Sequence, residues 1–274
     1  MLLAPSAVWA QGTSPQKSDN SNCDRAQFRV IVDVGHTAEV PGARSARGVS
    51  EYEFNLRLAG LIERNLREAG FGKTVLLITP GPARRSLFER VESANKSPAH
   101  LFLSVHHDSV PNSFLEKWEY EGTEHGFSDR FKGHSIFISY DNGDPQGSFL
   151  FARLLGNQLK SRGLQYTPHY TQPFMGYRQR ELIDAKAGVY RYDQLIVLKD
   201  TRMPAVLLEA GSIINRNEEL LLAGPERQSL ISAAVTEAVE KFCAARLPRK
   251  PEQMVRQPRP AAAPRREAAP LEPR

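Results

Sequence analysis

Three side chains that could bind a metal ion or transfer a proton lie where apolar runs of the sequence end. His36 follows FRVIVDVG, His106 follows LFLSV, and Glu209 ends PAVLLE, while Glu51 opens a helical pattern after the first run. Because ligands of open α/β sheets bind outside the carboxyl ends of parallel strands, we expect these residues to meet at one sheet edge. Two imidazoles, a carboxylate and a further free carboxylate are the components of a hydrolytic zinc site.

Each of these residues also has a purely structural interpretation. A histidine after a strand can simply satisfy local hydrogen bonds, and Glu51 in the first turn of a helix would complement the helix dipole. His107 competes with His106, since side chains alternate at a strand end and one of the two points towards the site. Glu209 is the most informative, because a carboxylate ending an apolar run is costly to bury unless it is paired, metal-adjacent or catalytic. Together the four coincidences favour a metal site in an enzyme.

Apolar periodicity predicts strands that alternate with helices, and therefore an α/β fold with a largely parallel sheet covered on both faces. The predicted strands cover residues 28–34, 73–79, 101–105, 135–140, 195–198 and 205–209. The predicted helices cover residues 51–69, a segment starting at a capping box of Ser86 and Glu89, and residues 146–162 and 227–245. Gly70 is the expected stop of the first helix.

Three segments lack periodicity and are expected to be loops. Residues 37–50 return to the site, residues 107–132 form a surface excursion, and residues 163–193 are irregular and rich in Tyr, Arg and Gln. Loops of the length of the last two are usually functional or mobile in compact domains.

Composition and charge divide the chain into three parts. Of its residues 41% are apolar, enough for one core, and we place a single domain at residues 27–246. The formal net charge of +5 comes from the C-terminal end, so residues 247–274, rich in Pro, Arg and Ala, are predicted to be a disordered tail. A basic tail can attract polyanions. The rest of the chain has no basic stripe, so we expect no nucleic-acid partner.

The N-terminal segment suggests export. Residues 1–26 begin with a short apolar run and Val8-x-Ala10, which is typical of the end of a secretory signal and its cleavage site. No stretch reaches the roughly 20 apolar residues of a transmembrane helix. Cys23 and Cys243 could form a bridge between the two ends of the domain, which would suit an oxidising compartment, or remain two unrelated thiols.

Four sequence blocks resemble the successive signatures of the zinc-dependent N-acetylmuramoyl-L-alanine amidases, the Amidase 3 family of cell-wall hydrolases. The blocks are VIVDVGH, GVSEYEFNL, HLFLSVHHD and MPAVLLEAGSIINRNEE. They match the family's Asp-x-Gly-His, its Gly-x-x-Glu before an Asn-Leu helix, its Ser-x-His, and its final strand ending in Glu with Asn-x-x-Glu beyond. The resemblance spans about residues 28–242, and the order and spacing of the four blocks are preserved.

The resemblance implies a role for each residue and a fold. His36, Glu51 and His106 would bind one Zn²⁺ per chain, with His106 in the third position of Ser-x-His, and Glu209 would be the catalytic carboxylate. The implied fold is a single α/β domain, with a twisted, mostly parallel sheet of about six strands flanked by helices. The implied substrate is peptidoglycan. Some relatives carry a segment that covers the zinc cleft until an activator protein removes it, so one of the two long excursions could have this role.

Two departures from the family pattern lie near the predicted site. After the second strand the chain has Thr79-Pro80-Gly81 where the family often has Thr-Arg-Asp, so a contact of that arginine is in doubt. After Glu209 it has Gly211-Ser212 where Gly-Phe is usual, a change beside the site that we expect to alter substrate fit.

Two rival functions remain open from the sequence. One is a zinc peptidase or deacylase acting on another amide of the cell wall. The other is a non-catalytic peptidoglycan-binding module, although such degenerate relatives usually lose ligands and all four positions are present here. An exported amidase without wall-binding repeats fits a periplasmic location better than a thick exposed wall.

Overall fold

The computed structural model describes residues 23–247. Within that range the strands are β1 (Val30–Val34), β2 (Val75–Leu77), β3 (Leu101–Asp108), β4 (Glu116–Tyr120), β5 (Thr123–Phe127), β6 (Ser135–Ile138), β7 (Glu181–Asp184), β8 (Val189–Arg191) and β9 (Ala205–Ser212). The α-helices are α1 (Glu51–Glu68), α2 (Ala83–Lys96), α3 (Pro145–Ser161), α4 (Ile196–Lys199), α5 (Arg216–Ala223) and α6 (Pro225–Arg246). The predictions for residues 1–26 and 247–274 fall mainly outside this range and stay predictions.

Seven strands form one sheet in the order β2-β1-β3-β9-β6-β8-β7. The half made of β2, β1, β3 and β9 is parallel, whereas β6 runs antiparallel to β9 and β7 antiparallel to β8. The predicted α/β class with a mostly parallel sheet is confirmed, with seven strands rather than about six. The carboxyl ends of β1, β3 and β9 therefore lie side by side at one edge.

Alternation along the strands separates two apolar layers. Val32, Leu103 and Val206 belong to the core cluster under α1, α3 and α6. Their neighbours in the sequence, such as Phe102 and Leu207, belong to the second cluster, under α2 and α4. His106 and Glu209 follow the alternation of this second set, so their side chains emerge on the α2 side of the sheet.

Two predicted elements were wrong. Residues 195–198, predicted as a strand, lie at the start of helix α4, because a short apolar run suits a buried helical turn as well as a buried strand. The capping box at Ser86 is also absent, since α2 begins at Ala83 after the extended residue Pro82. The Ser86 hydroxyl instead donates to the Ala83 carbonyl oxygen within the helix, at 2.9 Å.

The two excursions contain more regular structure than their composition suggested. Residues 107–132 include a two-stranded hairpin, β4 with β5, whose turn has left-handed backbone at Glu121 and Gly122. Trp118 of this hairpin donates its indole N–H to the Ala46 carbonyl oxygen at 2.7 Å, so the hairpin rests on the loop that leads to α1. Residues 163–193 supply β7, β8 and short 3₁₀ turns.

The two cysteines form a disulfide. Cys23 and Cys243 have Cα atoms 5.3 Å apart, and both are fully buried in the larger core cluster. Beside the bridge, the Asp24 N–H donates to the Leu247 carbonyl oxygen at 3.2 Å. Of the two alternatives open from the sequence, the structure contains the bridge.

Candidate metal centre and catalytic site

The turn after β1 places His36. Gly35 donates its N–H to the Val105 carbonyl oxygen on β3 at 3.0 Å, and His36 then adopts a φ of 65°, a left-handed conformation that is uncommon for a residue with a Cβ. The guanidinium of Arg90 on α2 donates to the carbonyl oxygens of Val34 and His36. These contacts hold the His36 ring at the sheet edge.

Capping of helix α1 places Glu51. Ser50 is the N-cap, and its hydroxyl accepts from the Glu53 N–H at 3.4 Å and donates to the Glu53 carboxylate at 3.0 Å. The Glu51 N–H donates to the Ala43 carbonyl oxygen at 2.9 Å. The first residue of the helix is therefore fixed both to the helix and to the preceding loop, and its side chain is 7% exposed.

The Glu51 carboxylate bridges the two imidazoles. Its Oε2 lies 2.9 Å from His36 Nε2, and its Oε1 lies 3.0 Å from His106 Nδ1. One potential ligand atom from each residue lies within 4.8 Å of those of the other two. Two imidazole nitrogens and one carboxylate oxygen at this spacing are a donor set that suits a catalytic zinc with a coordination position left over.

Two glycines make room for the side chains of His36, Glu51 and His106. A Cβ at Gly35 would lie 2.4 Å from the His106 ring, and one at Gly42 would lie 2.5 Å from Glu51 Oε2 and 2.7 Å from the His36 ring. Gly42 also has a φ of 77°. The three residues thus fit a metal ion both in chemistry and in the room that the backbone gives them.

Charge and burial act in opposite directions on these groups. Burial alone would raise the pKa of Glu51, but hydrogen bonds to His106 and His36 hold this pKa well below its usual range. Burial lowers the pKa of His106, against the effect of the Glu51 carboxylate. An ionised glutamate and a neutral imidazole are the protonation states that a divalent ion requires.

His107 lies on the other side of the strand and takes no part in this group. Its Nδ1 is 2.8 Å from Asn55 Oδ1, its ring packs on Phe54, and burial lowers its pKa to about 3. Asn55 in turn donates to Glu51 Oε1 at 3.3 Å and to the Gly35 carbonyl oxygen at 3.2 Å. Of the two histidines, His106 lies with His36 and Glu51, and Asn55 holds the Glu51 carboxylate by a hydrogen bond.

A buried ion pair lies beneath the histidines. The Asp33 carboxylate is fully buried, accepts from Arg90 at 3.0 Å through both oxygens, and accepts from the Ser104 hydroxyl at 2.7 Å. Asp33 and Ser104 both belong to the family blocks seen in the sequence. Their positions show that they brace β1 against β3 under His106.

Glu209 lies beside His106 on the neighbouring strand. The two residues are register partners across β3 and β9. Burial raises the pKa of Glu209 well above its usual range, and the negative charges of Asp108 and Glu51 add to this effect. Within residues 23–247, Glu209 Oε2 is buried without a hydrogen-bond partner. The carboxylate is therefore close to the ligand group but separate from it.

A second polar cluster surrounds Glu209. The Tyr170 hydroxyl donates to Asp108 Oδ1 at 2.7 Å, and Arg178 lies 3.9 Å from the same oxygen while donating to the Ser109 carbonyl oxygen at 3.0 Å. Burial raises the pKa of Asp108 to about 7. Tyr170 and Arg178 both come from the excursion at residues 163–193, which thus forms one wall of the site.

Several residues of this site were not identified from the sequence. Asp108 directly follows the His-His pair, so its position at a strand end was an available signal. The sequence carried no such signal for Arg90, Tyr170 and Arg178. Their contacts depend on how α2 and an irregular segment pack. The loop that departs from the family pattern at residues 79–81 contacts the site's entrance, where the Thr37 hydroxyl donates to the Gly81 carbonyl oxygen at 2.8 Å.

Comparisons with known proteins identify the family of the chain. The family model described as N-acetylmuramoyl-L-alanine amidase matches residues 30–241. A putative N-acetylmuramoyl-L-alanine amidase of Buchnera aphidicola is 24% identical over 216 residues, covering 78% of this chain and 95% of the relative. The amidase AmiA of Escherichia coli is 25% identical over 250 residues, covering 85% and 81%.

Two solved structures share the fold. The amidase Ami1 from Mycobacterium smegmatis superposes with a TM-score of 0.60 at 18% identity, covering 80% of this chain and 98% of that one. The CwlD amidase from Clostridioides difficile, solved in complex with the GerS lipoprotein, gives a TM-score of 0.58 at 21% identity, covering 80% and 99%.

Proposed function

The chain belongs to the N-acetylmuramoyl-L-alanine amidase family, and on that premise we propose that His36, Glu51 and His106 hold one zinc ion. Glu209 is then the catalytic carboxylate. The activity is hydrolysis of the peptidoglycan amide bond that joins N-acetylmuramic acid to L-alanine. The family is zinc-dependent in general. The observation that carries the assignment is the Glu51 carboxylate, which bridges the two imidazoles at 2.9 and 3.0 Å.

In this proposal His36, Glu51 and His106 bind the metal, and Glu209 transfers the proton. A zinc ion at this site would act as a Lewis acid and would lower the pKa of the attacking water from about 15.7 to about 7. Glu209 accepts a proton from the attacking water and passes it to the nitrogen of L-alanine as the C–N bond breaks. The raised pKa of Glu209 suits a carboxylate that must hold this proton between the two transfers. The products are a carboxylate on the lactyl group and the free amine of L-alanine.

Product analysis tests the function. The zinc-loaded protein is incubated with purified peptidoglycan, and the products are identified by mass spectrometry and by labelling of new amines. We expect free L-alanine amino groups and glycan strands of unchanged length. Amines from within the stem peptide would instead indicate a peptidase. Bound peptidoglycan with no new amine would indicate a binding module.

We further propose that the protein works in the periplasm. Three observations support this location: the signal-like start of the sequence, the Cys23–Cys243 disulfide, which suits an oxidising compartment, and membership of a family of cell-wall hydrolases. Across residues 23–247, none of the helices combines the length and the apolar character needed to cross a bilayer.

Control by an activator protein is a further part of the proposal. The segment that could cover the cleft is the excursion at residues 163–193, since its Tyr170 and Arg178 contact Asp108 beside Glu209. A partner that moves this segment would change access to Glu209. The solved complex of the CwlD amidase with the GerS lipoprotein is one case of an amidase bound to a second protein.

A further inference from the structure

A large cavity lies next to the catalytic wall but outside it. Its volume is about 640 Å³, within the usual range for ligand pockets, and it opens between the loop at residues 129–134, the loop at residues 163–172 and helix α5. Ala210, which follows Glu209 directly, lines this cavity. His169 also lines it and lies 3.6 Å from Asp108 Oδ2, so this residue separates the cavity from the Glu209 cluster.

The carboxylates that line the cavity already have partners. Asp129 accepts from the Arg216 guanidinium, with Oδ2 at 3.0 Å from Nε. Glu218 accepts from the backbone N–H groups of Gly133, at 2.9 Å, and Ser212, at 2.9 Å. The two carboxylates therefore offset part of the positive charge: Asp129 that of Arg216, and Glu218 that of Arg227, with a weaker attraction to Lys132.

The cations of the lining are largely unpaired. Lys132 is exposed and, among residues 23–247, makes no hydrogen bond or ion pair. Arg130 is also exposed, and its contacts in the same range are with rings: its guanidinium lies 4.5 Å from the Phe174 ring centroid and 5.1 Å from that of Phe131. Arg227 forms an ion pair with Glu218 at 4.0 Å, which leaves Arg130 and Lys132 as the lining cations without an ion-pair partner among residues 23–247. The cavity therefore carries a surplus of positive charge.

The field of these cations reaches the wall that the cavity shares with the catalytic cluster. Burial, together with the charges of Arg178 and Arg130, lowers the pKa of His169 to about 4. A cavity of this size with unpaired cations at its mouth and an aromatic wall at Phe131 and Phe174 suits a short peptide that bears carboxylates.

We propose that this cavity binds the peptide stem of the substrate, with Arg130 and Lys132 facing its free carboxylates. This inference rests on the proposed function. The sugars next to the scissile bond are neutral, whereas the stem that continues from L-alanine carries carboxylates, so the charge of the cavity favours the stem over the glycan.

Two matched substrates test the inference. One is a muramyl peptide with free stem carboxylates, and the other is the same molecule with those carboxylates amidated. For Lys132→Glu we expect KM to rise about tenfold on the free-carboxylate substrate, with kcat within twofold and KM on the amidated substrate almost unchanged. The control is Lys199→Glu, an exposed lysine on α4 that does not line the cavity, which should leave both KM values unchanged.

A binding measurement gives a readout that does not depend on turnover. Calorimetric titration of the free stem tripeptide should show binding to the wild type and about tenfold weaker binding to Lys132→Glu, with a loss of affinity as ionic strength rises. An equal rise of KM on both substrates, or no rise on either, would overturn the stem subsite while leaving the amidase activity standing. A wild-type protein that cleaves neither substrate would overturn the proposed function and the subsite together.

Discussion

The two sides of the candidate site differ in how their polar atoms are partnered. On the β1–β3 side, Glu51 bridges His36 and His106 and is itself supported by Asn55. On the β9 side, Glu209 has a buried oxygen without a partner among the described residues, and its pKa is raised. In the proposed mechanism the first side holds the ion, and the second provides the carboxylate that takes up a proton. The difference suggests that substitutions on the two sides separate metal binding from catalysis.

The largest effect is expected on the ligand side. His106→Ala removes one of three ligands and leaves Glu51 Oε1 without its imidazole partner, so we expect both bound zinc and hydrolysis to fall to background. Metal content after dialysis and amine release from peptidoglycan measure the two quantities together. A variant that kept about one zinc per chain would show that His106 is not a ligand.

Glu209→Gln should abolish most of the catalytic activity without changing metal binding. The amide keeps the shape of the side chain but cannot accept the proton, so we expect turnover to drop by about 10²–10⁴-fold, with zinc content unchanged. Zinc analysis and initial rates on the same preparation are the measurements. Near-normal turnover of this variant would remove Glu209 from the mechanism, and loss of zinc would remove the distinction between the two sides.

Asn55→Ala tests the support behind the ligand side. Removing a group that orients a ligand typically weakens metal affinity about 10–100-fold, so we expect a loss in this range by competition with a chelating dye. The control is Asn65→Ala on the same helix, whose amide donates to Ser232 at 2.8 Å, away from the site. Equal zinc affinities of the two variants would show that Asn55 contributes to packing alone.

The smallest effect concerns the polar cluster near Glu209. The pKa of Asp108 is raised to about 7, so the stability from its protonated form is complete below about pH 4 and is lost as pH rises through about 7. Asp108→Asn can still accept from Tyr170 and no longer titrates. Relative to the zinc-free wild type, we expect this variant to gain stability between pH 5 and pH 8, each pKa unit corresponding to about 1.4 kcal/mol.

Urea unfolding at both pH values measures this gain. Asp200→Asn, at an exposed carboxylate, is the control and should follow the wild type. A pH dependence of Asp108→Asn identical to that of the wild type would show that Asp108 is not held protonated.

Residues at strand ends were the part of the site that the sequence could predict. His36, Glu51 and His106 each lie next to a strong local signal; the parallel β1–β3 pair brings the two histidines together, and the loop before α1 brings Glu51 to them. Glu209 followed from the cost of a carboxylate at the end of an apolar run. Their chemical roles rest on family resemblance and on the measurements proposed above.

The elements that the sequence did not predict depend on tertiary packing. Residues 195–198 are too few for periodicity to separate a strand from a helix, and their packing against α2 and β9 decides for the helix. The β4–β5 hairpin did carry a local signal, since Gly122 sits between two segments of alternating polar and aromatic residues. Tyr170 and Arg178 reach Asp108 from an irregular segment, and no short-range pattern encodes such a contact.

The bridge between Cys23 and Cys243 has a mechanical consequence. It covalently joins two residues that are 220 positions apart in the sequence, at the two ends of the described domain. Tension applied between the flanking segments would pass through the sulfur atoms rather than through the sheet. The geometry around His36 and Glu209 would then stay unloaded when the enzyme is pulled by both ends while attached to a moving or growing polymer.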